Sequence, residues 1–202
     1  MRFLLRFGAV CGIACGVLTG VPGAIEAFTG ETTATSLVLG FGPAFGPPLL
    51  TAVFLGQRHA VGAFGRVAYA VNLLGLGLFG GAAYALNLVL VFLDEAAVDD
   101  LMAGPTRFAL LASALVFVVG TVLFGVSMVR ARTYPRVPAW AYGPVLTVFA
   151  LAAPLPDTPL TSGLHVAVGI ILVWLSIAVL RPAPAPAGSS RPATTPVEVT
   201  VP

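Results

Sequence analysis

Five residues have the types and spacing to build a binding site within an otherwise apolar chain. Tyr69 and Asn72 bracket the tetrad Tyr69-Ala-Val-Asn72, and Tyr84 and Asn87 bracket a second, Tyr84-Ala-Leu-Asn87. His165 stands apart, with Ser162 and Gly169 on its helical face. Asparagine amides donate and accept hydrogen bonds, tyrosine hydroxyls do the same, and an imidazole does so through two nitrogens. Groups of this kind hold a small solute by hydrogen bonding, and they supply no activated nucleophile. Within a membrane span they turn away from lipid, where an ionisable group marks a candidate site. A competing use for the asparagines is to tie helices together, each bond contributing about 0.6 to 2 kcal/mol.

Chemistry of other kinds finds little support. The sequence contains no HExxH, GxSxG or phosphate-binding loop. His59 and His165 are expected on opposite sides of the bundle, which rules out a haem held between them in one chain. Cys11 and Cys15 lie four residues apart on one predicted helix, poorly oriented for a disulfide and without partners for zinc. The pairs Asp94/Glu95 and Asp99/Asp100 have the chemistry to hold a divalent cation, but a solvated acidic loop explains them as well. No catalytic residue, metal site, cofactor or nucleic-acid partner is expected, and the chain is read as non-enzymatic.

The elements that carry these residues follow from composition. Of 202 residues, 58% are hydrophobic and 9% charged, against about a quarter charged in a soluble domain. A deficit of that size makes lipid the expected solvent. The ten basic residues are all arginine, as a GC-rich bacterial genome would encode. Six spans are predicted, at about 7–27, 37–56, 67–93, 108–129, 138–153 and 160–180, followed by a disordered Pro/Ala-rich tail at 182–202. The fold class is therefore all-α: a six-helix transmembrane bundle in the plasma membrane.

The third span is its hub. Between Arg66 and Asp94 the only ionisable side chains are tyrosines, over a length exceeding the roughly 20 residues a span needs. At about 100° per residue, Tyr69, Asn72, Tyr84 and Asn87 share an arc of roughly 120°. That face is expected to look into the bundle. Asn72 and Asn87 are about 22 Å apart along the axis, too far for one small ligand to touch both. Two inter-helix ties are the simpler expectation.

Proline and glycine shape the other spans. Pro43, Pro47 and Pro48 should interrupt the second, and Gly143-Pro144 the fifth. Between the third and fourth spans, residues 94–107 offer a short interfacial helix stopped by Gly104-Pro105, with Thr106 as the cap of the fourth span. Asp157-Thr158-Pro159 offers a cap for the sixth span, and Asp157 a neighbour for His165. Ser113, Gly120 and Ser127 recur every seven residues as a packing seam. In the first span Gly8, Gly12, Gly16 and Gly20 form an extended GxxxG row. It serves either packing within the bundle or a seam to a second copy or partner subunit. Arg2 and Arg6 before an apolar run also suit a signal peptide, but a cleavage motif is missing and a retained helix is expected.

Charge sets the expected orientation. With an inner N-terminus and six alternating spans, nine arginines fall inside and only Arg107 outside. By the positive-inside rule both termini are cytoplasmic. Splitting the spans three and three gives halves of opposite orientation, each with a Gly-Pro interruption in its second member and an Arg-Phe start. That pattern suits an inverted-repeat transporter. Two functions remain open: a non-enzymatic protein that binds or moves a small solute, and a structural or regulatory membrane subunit acting through helix packing and its tail.

Overall fold

The computed structural model describes residues 1–153 and 158–181; Asp157 and the tail at 182–202 lie outside the described residues. Within these residues eight α-helices succeed one another: α1 (Arg2–Thr29), α2 (Thr33–Phe41), α3 (Gly46–Gln57), α4 (Gly62–Leu88), α5 (Glu95–Ala103), α6 (Pro105–Ala131), α7 (Arg136–Ala152) and α8 (Pro159–Leu180). Among the described residues there is no strand. Five segments are long and apolar enough to cross a membrane: Arg2–Thr29, Thr33–Gln57, Gly62–Phe92, Pro105–Ala131 and Pro159–Leu180. The segment expected at 138–153 is α7, whose 17 residues leave it shorter than these. Large apolar side chains such as Phe3, Val17, Leu74, Leu115, Val122, Trp140 and Ile170 stand exposed on many of the helices. A water-soluble monomer rarely shows contiguous apolar patches beyond a few hundred Å², so these faces suit lipid.

Local chemistry explains where the helices begin and end. The second predicted span breaks at a 3-10 turn, Gly42–Phe45, with Pro43 in that turn and Pro47 in the first turn of α3. Proline fits there because a first-turn N–H has no helical acceptor to lose. Asp94 caps α5 by accepting from the Ala97 amide at 2.8 Å. α6 starts at Pro105 with Gly104 as its N-cap, so Thr106 lies inside the helix and is not its cap. Thr158 caps α8 in a reciprocal box with Thr161. Pro144 does not break α7, contrary to expectation: the helix runs unbroken from Arg136 to Ala152. The physical reason is packing. Gly143 presses on Gly125 of α6 so closely that a Cβ on Gly125 would lie 3.1 Å from the Gly143 Cα, and that contact supports the turn that loses a hydrogen bond.

The most extensive pairings are α1 with α8 and α4 with α6, followed by α6 with α7 and α1 with α3. Each rests on glycine. A Cβ on Gly169 would lie 2.6 Å from the Gly16 carbonyl oxygen and 2.9 Å from the Gly20 Cα. A Cβ on Gly75 would lie 2.6 Å from the Phe117 Cα, and one on Gly120 would strike the Asn72 backbone. On the other side of α1, Gly8 meets Pro48 and Ala52 of α3, and Gly12 meets Leu49 of α3 and Ser176 of α8. The four-residue glycine row is met within the chain by α3 and α8, the packing use of the two expected for it, and Gly16 and Gly20 also border a groove on the outer side of α1 and α8. Helices can approach this closely only where no side chain intervenes, and dispersion across such contacts is the main attraction available in lipid.

Of the predicted seam on α6, Gly120 and Ser127 are buried, Gly120 against Asn72 and Ser127 near Gly65. Ser113 is bonded back to its own Ala109 carbonyl at 2.7 Å. The glycine cluster of α4 divides likewise: Gly75 and Gly80 meet Phe117 and Pro43, whereas nothing lies within 4 Å of a Cβ on Gly77 or Gly81.

On the Arg58–Arg136 side of the bundle, the turn between α6 and α7 folds back under α3. Arg132 ends α6 with φ at 53°, a left-handed conformation. Tyr134 then reaches beneath Gly56 and donates to the Val53 carbonyl at 2.9 Å. Burial pushes its phenol pKa up, so the hydroxyl keeps the proton it donates.

Candidate functional site

At the centre of the bundle lies a cavity of about 980 Å³. Its walls come from α1, α2, α3, α4, α6, α7 and α8, and it extends to the Glu31, Met102 and Thr161 end of the bundle. Cys15, near its deep end, lies about 21 Å along α1 from Thr29. Leu50, Val53, Phe124 and Leu175, all buried, line its far wall. A volume of this size is at the upper end of what small-ligand sites offer.

The apolar wall carries a chain of rings. Phe117 stacks on Phe79 at 4.6 Å between centroids, Phe79 meets Phe149 edge-on at 6.0 Å, and Phe149 meets the His165 ring edge-on at 4.9 Å. These four residues belong to α6, α4, α7 and α8, so the rings stitch together the helices that enclose the space. His165 Nδ1 donates to the Thr161 carbonyl at 2.9 Å, because a carbonyl can only accept. This leaves Nε2 as the imidazole's second polar atom. Gly23 of α1 makes room for His165: a Cβ at that position would run into the histidine Cβ.

The polar groups gather towards the end marked by Thr29 and Thr161. Glu26 is only 7% exposed although it is a carboxylate near the end of α1. Burying a charge is costly unless the surroundings compensate it. Thr19, about two turns below it on α1, lines the same space. Glu31 accepts from the buried Ser36 hydroxyl at 2.5 Å, which holds its carboxylate at the rim.

The five residues singled out by sequence separate in space. Asn87 and His165 line the cavity; Tyr69, Asn72 and Tyr84 do not. Asn72 is fully buried and donates from Nδ2 to the Tyr142 hydroxyl at 2.8 Å, tying α4 to α7. Tyr142 itself lines the cavity, so Asn72 acts on the space through it. Tyr69 donates to Thr51 Oγ1 at 3.0 Å, the threonine in turn donating to the Pro47 carbonyl at 2.8 Å. Its ring stacks on Phe54 at 4.3 Å. Tyr69 is thus a tie between α4 and α3.

Asn87 differs from the expected inter-helix tie, since it donates to Ala83 in its own helix at 2.9 Å. Tyr84 departs from the inward face: it is 47% exposed and meets Phe41 of α2 edge-on. The physical reason is that α2 meets this end of α4 on its Asn87 and Leu88 side, through Gly40, and leaves Tyr84 at the edge of that contact. Glu26, Cys15, Thr19 and Tyr142 were missed as site residues. Glu26 carried the clearest signal, a carboxylate within reach of the apolar run of α1.

Among the described residues no group of His, Cys, Asp and Glu is placed to hold a metal ion. Comparison with protein families, with curated proteins and with solved structures gave no match to this chain. Its class rests on its own geometry: among the described residues the regular structure is all helical, with five segments long and apolar enough to cross a membrane, packed around a mostly apolar cavity with a polar end.

Proposed function

We propose that this chain is a multi-pass plasma-membrane protein that binds, and by extension moves, a small solute through its central cavity, without catalysing a reaction. The observation that carries this reading is the cavity of about 980 Å³. A bundle needing only to hold itself together would close such a space, because each unfilled volume forfeits dispersion contacts.

The same reading takes α7 as the sixth crossing. Its 17 residues give about 25 Å of helix, close to the roughly 30 Å of hydrocarbon. With six crossings and nine of ten arginines on one side, both termini are cytoplasmic, the tail with them, and the polar end of the cavity faces outward. Tyr134 then closes the cytoplasmic side. The helix pairings support inverted halves: exchanging α1 with α6 and α4 with α8 turns the α1–α8 contact into the α4–α6 contact. Rocking of one half against the other would carry the site from one side to the other.

Replacing Leu146, a buried residue of the cavity wall, with tryptophan tests the function. In vesicles loaded with a panel of small solutes, the wild-type chain is expected to pass at least one of them, and Leu146→Trp to pass it at least about tenfold more slowly while remaining folded. Equal flux through both proteins, or none above empty vesicles across the panel, would contradict transport.

A structural or regulatory subunit is the second reading. It is favoured by a separate apolar groove of about 840 Å³ between α1 and α8, where Val21, Ile25, Ile170 and Trp174 stand open. Loss of a co-purifying membrane protein on changing Ile170 to serine, with flux absent throughout, would favour this alternative.

A further inference from the structure

We propose that the solute taken by the cavity is a lipophilic cation, with Glu26 as its counter-ion; this rests on the solute-binding reading above. Three independent features of the wall point to that chemistry. The first is the sign of charge. The chain holds ten arginines, yet among the described residues the formally charged groups lining the cavity are Glu26 and Glu31. Glu26 is buried, where its attraction for a positive charge is less screened than at a surface.

The second feature is the run of rings from Phe117 through Phe79 and Phe149 to His165, joined at 4.6, 6.0 and 4.9 Å. Aromatic faces attract cations, most strongly where water is excluded. With Nδ1 of His165 donating to Thr161, Nε2 in the neutral ring is an acceptor, which suits a positively charged guest.

The third feature is the rim. Leu111 and Leu115 of α6 and Leu151 of α7 line the cavity and are 51%, 63% and 63% exposed. Where α6 and α7 face lipid, a guest passing between them must tolerate hydrocarbon, so its charge has to be carried on an apolar body. Leu49, Leu50 and Leu172 provide the matching apolar wall. An amphiphilic cation satisfies all three features. An anion meets two carboxylates and, among the described lining residues, no arginine, and a sugar or a bare inorganic ion meets a wall that is mostly hydrocarbon.

The test compares two ions of nearly equal size and shape but opposite charge, tetraphenylphosphonium and tetraphenylborate. The full chain sits in nanodiscs of zwitterionic phospholipid, and empty discs are subtracted. Saturable phosphonium binding is expected, at least about tenfold tighter than borate, given carboxylate and ring attraction together. Glu26→Gln is expected to weaken phosphonium by about tenfold or more and leave borate no weaker, whereas Glu26→Asp keeps most of the preference.

Equal saturable binding of the two ions, unaltered by Glu26→Gln, would overturn the cation while leaving a solute site standing. Saturable binding of neither would overturn both. If Glu26→Gln does not fold, Phe149→Leu replaces it: a loss of at least about threefold for phosphonium alone is expected, and an equal loss for both ions overturns the proposal.

Discussion

Replacing Gly169 with leucine is expected to unseat α8 from α1 and leave the protein largely unfolded in mild detergent. The new side chain would start 2.6 Å from the Gly16 carbonyl oxygen and 2.9 Å from the Gly20 Cα. Both obstacles are backbone, so no rotamer change relieves them and the helices themselves must move apart. Over-packing usually costs about 1–3 kcal/mol. Here the displacement also strips Gly12 from Ser176 and Gly23 from His165 along the same crossing, so the loss is expected at about 3 kcal/mol or more. Gly77→Leu is the matching control, since nothing lies within 4 Å of a Cβ there; its effect should stay within about 0.5 kcal/mol. Reversible unfolding by graded denaturing detergent reads both. Equal behaviour of the two variants would contradict glycine-mediated packing of α1 on α8.

The second large effect is expected at Asn72. Asn72→Leu removes the donor to the Tyr142 hydroxyl, a bond of 2.8 Å between two buried side chains. Interhelical bonds in lipid contribute about 0.6 to 2 kcal/mol, and a buried hydroxyl left without its partner adds a desolvation cost of about 1–3 kcal/mol. Leucine must also fit against Gly120, which already touches the Asn72 backbone. A loss of about 2–3 kcal/mol is expected. The contrasting change, Asn87→Leu, breaks only a bond to Ala83 in the same helix and should cost under about 0.5 kcal/mol. Similar losses for the two leucine variants would show that α4 is not held through Asn72.

These contrasts mark how far the sequence could be read. Long apolar runs bounded by charge located the helices well, because in lipid every backbone group must be satisfied within its own segment. Caps were legible where side chain and spacing agree, as at Thr158, and not at Thr106, where Pro105 takes the first helical position instead. The break at Pro43 and the continuity at Pro144 were indistinguishable in sequence, since the difference lies in Gly143 packing on Gly125 across helices. The same holds for the GxxxG row: its spacing announces a close approach and says nothing of which helix approaches.

The site was the least legible part. Helical phase placed Asn72 on an inward face, but Asn87 on that face bonds to its own helix and Tyr84 lies half-exposed. The arc a neighbour covers changes along α4, and one sequence carries no record of that. Glu26 appeared as an end-of-helix charge; only the fold turns it into the cavity.

Everything functional depends on the cavity, and cysteine accessibility tests it most directly. Cys11 and Cys15 are first replaced by serine, and single cysteines are introduced at Ala83, on the cavity wall, and at Val122, exposed on the lipid side of α6. A small, water-soluble thiol reagent reacts only with a hydrated thiolate. With a solute site at the centre, Ala83→Cys is predicted to react when reagent is added from outside, at least about tenfold faster than Val122→Cys, which lipid should shield. Equal inertness of the two positions would show a dry interior and contradict a solute site at the centre of the bundle.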